Sequence, residues 1–218
     1  MKYETLTYGD PGAETLLLQM VDDHDLEVIE NEIALINEMT NGQNFCLKAV
    51  KVNSWNSDLS PWPAPAVFGN EDFGDGAAET LHFLLDEVMA EASSKKECPA
   101  GRTFIGGYSL SALFALWAGY QTDRFDGVAA ASPSIWFPGF TDYMREHPIR
   151  ANAVYLSLGD REEKTRNPVM STVGNAIREA ESILTGSGNA CVLEWNKGNH
   201  FKEPDLRTAK GFAWLMNR

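Results

Sequence analysis

Basic residues are scarce in this chain: 18 Lys and Arg stand against 31 Asp and Glu over 218 residues, a formal net charge of −13. Phosphate binding draws on clustered cations, so the shortage argues against nucleic acid as a partner and makes contact with an acidic membrane surface unfavourable. Long apolar runs are missing as well. Stretches such as 112–118 fall far short of the roughly 20 residues needed to cross a bilayer. The opening MKYETLTYGDPGAE carries charge and turn residues where a secretory leader needs a basic head and an apolar run, so a cytoplasmic protein is expected. Cysteine is sparse too. Cys46, Cys98 and Cys191 are odd in number and widely spaced, which fits reduced thiols better than a disulfide framework, and none has metal-ligand spacing.

What is present is an ordinary globular composition, 44% hydrophobic and 22% charged, with enough apolar content to avoid disorder. A length of 218 residues supports one sizeable core, and a single domain over 1–218 is expected. Short apolar runs alternate with amphipathic stretches, the pattern of an α/β protein whose mostly parallel sheet is flanked by helices. Strands are expected at 15–21, 45–52, 102–106, 127–131, 153–158 and 191–195. Helices are expected around 26–36 and at 76–92, 110–120, 167–185 and 204–217. Residues 53–75, rich in Pro, Gly, Ser and aromatics, read as a long loop without regular helix.

Gly106-Gly107-Tyr108-Ser109-Leu110-Ser111-Ala112 lies between an expected strand and an expected helix. A nucleophile on such a sharp turn needs small neighbours two residues away on each side, and Gly107 and Ser111 meet that need. The turn also presents the hydroxyl at a helix N-terminus, which favours developing negative charge. A serine that only caps the helix is the plainer alternative.

Serine needs a base, and the base needs a partner that fixes its tautomer. His82 and His147 sit in helical segments suited to solvated or capping roles, and His24 sits in an acidic loop. His200, in the loop between the last strand and the last helix, is the best placed. The acid is expected after strand 153–158, in Asp160-Arg161-Glu162-Glu163; Glu162 is favoured, then Asp160, with a solvated charge run as the competing reading. The order is then Ser, acid, His, each at a strand end.

FIGGYSLSALFALWA, AAASPSIWF, YLSLGDREEKTRN and GNHFKEPDLRTAKGFAWL together resemble the branch of α/β hydrolases that holds esterase D-like enzymes and enterochelin-type siderophore esterases. The resemblance spans almost the whole chain. It implies a three-layer α/β-hydrolase fold with little or no cap, and a serine esterase that works without a cofactor through a Ser-His-acid triad and an acyl-enzyme. Ser109 takes the nucleophile's place and His200 the base's, with the acid among 160–163. Ser111 departs from the Gly found in many relatives.

An oxyanion hole needs two amides. Leu110 supplies one, and the second is expected from Asp22 or Asp23, where the His-Gly sequence of relatives is absent. Asp22, Asp23, His24 and Asp25 can also be read as metal ligands, but consecutive residues in one loop rarely converge on one ion and Asp25 suits a helix cap, so no metal is expected. Trp55, Asn56, Trp62, Ser134 and Trp136 are candidate substrate contacts, the plainer reading being that these aromatics seal the core. The expected partner is a small-molecule ester. A homo-oligomer contact through loop aromatics, an acyltransferase and a silent binding protein on the same fold are the alternatives.

Overall fold

The computed structural model describes residues 3–94 and 101–218. At its centre lies a seven-stranded sheet in the order β1-β3-β2-β4-β5-β6-β7. The strands are β1 (Glu4–Gly9), β2 (Thr15–Val21), β3 (Cys46–Lys51), β4 (Arg102–Tyr108), β5 (Gly127–Ala131), β6 (Ala153–Gly159) and β7 (Ala190–Asn196). Every neighbouring pair is parallel except β1 with β3. Parallel strands need crossovers, and these are helical. The longer helices are α1 (Asp23–Met39), α5 (Ser109–Gln121), α7 (Val173–Gly186) and, after the last strand, α8 (Pro204–Met216). The shorter ones are α2 (Trp55–Asp58), α3 (Ala77–Phe83), α4 (Met89–Ser94) and α6 (Phe140–Glu146), with one wider π turn, Leu84–Val88, joining α3 to α4.

The helices cover both faces, which is why β2, TLLLQMV, is buried at every position rather than at alternate ones. On one face α1 and α8 pack Ile29, Ile36, Phe212 and Leu215 against Leu17, Leu47 and Phe104. On the other lies α5, buried from Leu110 to Tyr120 on all sides, with α3 and α7 beside it. A helix that is apolar all round is held rigidly by its surroundings. Ser109 stands at its first position.

Three of the departures from the expected elements have a clear physical reason. β1 was not anticipated because ETLTYG is polar and only partly buried; backbone pairing along β3, rather than apolar burial, holds it at the sheet edge. The loop 53–75 contains one helical turn, α2, started where Asp58 accepts the N–H groups of Asn53 and Ser54. Finally, α7 begins later than 167 because Asn167 Oδ1 accepts the N–H groups of Val169 and Met170, making 167–172 a capped approach.

Cys46 is buried in β3, burial pushes the Cys191 thiol up to about 12, and Cys98 lies outside the described residues. Among the described residues no helix is long and apolar enough to cross a membrane.

Glu32 of α1 is buried against Gln19 of β2, whose Nε2 donates to Glu32 Oε2 at 3.4 Å. Burial raises its carboxyl well above the usual range. An acid of this kind holds its proton in the folded state after the unfolded chain has lost it. The contribution of Glu32 to stability is therefore most favourable below about pH 4 and declines as pH rises toward the folded value. Glu32→Gln removes that decline. We expect the variant to match wild type in thermal melts near pH 4 and to melt higher at pH 8, by about 2–4 °C for each kcal/mol gained.

Candidate active site

The turn from β4 to α5 places Ser109 at φ 58°, the left-handed region that costs a non-glycine residue about 1–3 kcal/mol. The local sequence enforces it. A Cβ on Gly107 would lie 2.1 Å from Ser111 Oγ, so only glycine fits there. Ser111 donates to the carbonyl of Met20 at 2.7 Å, tying the turn to β2. The departure from glycine at 111 thus adds a fastening.

His200 follows β7 and reaches the same point. Its Nε2 is 2.9 Å from Ser109 Oγ, and its Nδ1 is 2.7 Å from Glu162 Oε2. Tyr108, immediately before the serine, donates its hydroxyl to the carbonyl of His200 at 2.7 Å. The other histidines stand elsewhere: His24 and His82 are exposed on α1 and α3, and His147 stacks on Tyr143.

Glu162 lies on a short turn after β6, its side chain 4% exposed. Its second oxygen, Oε1, accepts from Ser132 Oγ at 2.8 Å, from the N–H of Gly159 at 2.7 Å and from Arg207 at 2.8 Å. Burial pushes its carboxyl up, but the bonds from His200, Gly159 and Ser132 outweigh burial, and the net direction is down. Gly159 has no room for a side chain, since a Cβ would meet the carbonyl of Gly198 at 2.5 Å and Glu162 Oε1 at 2.9 Å. Asp160, the second candidate acid, instead accepts the N–H of Gly198 at 2.9 Å, a bond that lowers its own carboxyl. It braces the His200 loop from outside.

Leu110 lies in the first turn of α5, where amides have no partner within the helix. Of the two amides considered after β2, that of Asp22 is committed to Asp25 Oδ2 at 3.2 Å, while the Asp22 carboxylate accepts from His24 and Asp25. Asp22 thus caps α1. The Asp25 carboxyl is pushed up to about 7, by burial first and then by Asp22. Asp23, the next residue, turns its side chain outward to Lys51. No group of three or more potential metal ligands converges among the described residues.

Beside His200 opens a cavity of about 300 Å³, walled by Pro133, Trp136, Met170, Val173 and Phe201. Phe201 is 87% exposed. Of the candidate substrate contacts, Trp136 lines this cavity and Ser134 Oγ lies 3.3 Å from Ser109 Oγ. The rest are engaged elsewhere. Trp55 packs partly buried on the core, Asn56 donates to the carbonyl of Glu71, and Trp62 donates to Pro138 while its ring lies among Phe137, Phe140 and Tyr143. These three hold the long loop down.

Sequence reasoning missed Ser132, Tyr108, Phe201 and Arg207. For Arg207 there was a signal: it precedes Gly211 and Leu215 by four and eight residues, so a cation sits on the buried stripe of α8.

The parallel sheet with its antiparallel edge, helices on both faces and a strained serine where β4 enters α5 define an α/β-hydrolase fold. Solved structures of that fold superpose along nearly the full chain. A siderophore hydrolase, EstA from Aspergillus nidulans, matches with a TM-score of 0.73 at 20% identity, covering 98% of this chain and 94% of its own. An IroE-like serine hydrolase from Shewanella oneidensis matches with a TM-score of 0.80 at 13% identity, covering 99% and 76%. The siderophore hydrolase EstB, also from Aspergillus nidulans, matches at 0.71 with 16% identity, covering 95% and 83%. No family model matches the sequence, and no curated protein does.

Proposed function

We propose that this chain is a serine carboxylic-ester hydrolase with Ser109 as nucleophile, His200 as general base and Glu162 as the acid that orients it. One observation carries the reading: an unbroken run of hydrogen bonds from Ser109 Oγ through both ring nitrogens of His200 to the buried Glu162. The run has the reach that proton transfer requires. The likeness to siderophore hydrolases and a serine hydrolase supports an ester as substrate.

Ser109 Oγ attacks the ester carbonyl carbon as its proton passes to His200 Nε2, and Glu162 stabilises the imidazolium. The oxyanion is held by the Leu110 amide and, because the Asp22 amide is taken, by that of Asp23. Collapse breaks the bond to the alcohol, which leaves with the proton from His200. Water then attacks the acyl-enzyme, giving its proton to the same nitrogen; the tetrahedral species releases the acid and returns the proton to Ser109.

Labelling with a fluorophosphonate probe tests the reading, followed by turnover of a panel of p-nitrophenyl esters. Labelling of wild type that disappears in Ser109→Ala and His200→Ala supports it. Folded wild type that takes no label leaves a binding protein on a hydrolase fold.

The cavity beside His200 is the proposed acyl site, with Phe201 as its outer wall. Because Phe201 is so exposed, Phe201→Ala should leave stability unchanged. We expect KM for bulky or aromatic acyl esters to rise about fivefold, the worth of one aromatic contact, with acetyl esters unaffected. Equal effects on both would remove Phe201 from the acyl site.

A further inference from the structure

We propose that Arg207 is the positioning residue of this site, holding the Glu162 carboxylate and the His200 loop in register with one guanidinium. The inference rests on the serine-hydrolase reading and concerns a residue that does not touch substrate.

Arg207 projects from α8 into the centre of the molecule and is 1% exposed. One terminal nitrogen donates to Glu162 Oε1 at 2.8 Å and to Ser132 Oγ and Tyr108 Oη at 3.0 Å. The other donates to the carbonyls of Asn199 at 3.0 Å and Lys197 at 3.4 Å. The contacts therefore reach the acid, the residue before the nucleophile, and the chain on the N-terminal side of His200. A planar fork can serve these several points at once, whereas an ammonium is a single point charge. Placing a charge so deep is costly unless it is paired, so a cation in this position signals a use.

The test is kcat and KM for one p-nitrophenyl ester in wild type, Arg207→Met and Arg207→Lys. In folded Arg207→Met kcat should fall at least about tenfold while KM stays within about twofold, because the acid and the His200 loop shift while substrate contacts remain. Arg207→Lys, which keeps the charge without the fork, should also leave kcat low. Wild-type kcat in folded Arg207→Met, or a KM that rises as much as kcat falls, overturns the positioning role, and wild-type kcat in Arg207→Lys overturns the role of the fork. If Arg207→Met does not fold, Glu162→Gln is compared with Glu162→Gln/Arg207→Met, in which no buried charge is orphaned. There kcat should fall further in the double variant, and equal kcat overturns the proposal. Labelling of wild-type Ser109 separates the two readings: with label and unchanged kcat only the Arg207 role fails, and without label both fail.

Discussion

Ser109→Ala is expected to abolish fluorophosphonate labelling and to lower ester turnover by at least about 10⁴-fold, because it removes the hydroxyl proposed as nucleophile, which is hydrogen-bonded to His200. The stability of the same position should respond in the opposite sense. Ser109 sits at φ 58°, and alanine inherits that strain whereas glycine does not. Ser109→Gly should be as inactive as Ser109→Ala yet more stable than it by about 1 kcal/mol in denaturant titrations. Equal midpoints for the two variants would show that the turn stores no strain. A gap would show that the fold gives up stability to present this hydroxyl.

The second large effect belongs to Glu162. Glu162→Gln should reduce kcat/KM by about 10⁴-fold, since an amide presents the wrong hydrogen-bonding partner to His200 Nδ1 and selects the wrong tautomer. Asp160→Asn should cost far less, because Asp160 touches the backbone of Gly198 and not the imidazole. Similar losses in both would mean that the loop rather than the carboxylate is what matters. Glu162→Gln should also lose about 3 kcal/mol at neutral pH, as Arg207 is left buried without its anion. The sign with pH follows from the folded carboxyl lying below its ordinary value of 4.5. Its stabilisation is complete above the unfolded value and disappears as pH falls through the folded one. The gap between wild type and Glu162→Gln should therefore be widest between pH 6 and 8 and narrow under pH 4.

Much of this molecule is legible in its sequence. Thr15–Val21 and Gly127–Ala131 appear with the bounds expected for them, because short, mostly apolar runs ending in polar or turn residues have few other ways to be buried. The β4–α5 turn was legible for a different reason, since Gly107 and Ser111 record a steric demand made by residues two places away. β1 was not legible, for its stability comes from hydrogen bonds to β3 and leaves little imprint on residue type. Asn56 and Trp62 look like binding residues by composition, yet their side-chain N–H groups donate to the carbonyls of Glu71 and Pro138.

From its residues alone the chain declares an alternating α/β core and a serine, an acidic segment and a histidine delivered in that order to strand ends, because periodicity and turn chemistry are local and leave local marks. Only the packed structure decides that Glu162 rather than Asp160 meets His200, that Arg207 lies behind them, and that Trp136 and Phe201 wall a cavity. Those choices turn on distances near 3 Å between segments up to about 100 residues apart, and a hydrogen bond fails within a fraction of that distance. The relative placement of β4, β6, β7 and α8 sets those distances, and it is a product of the whole core.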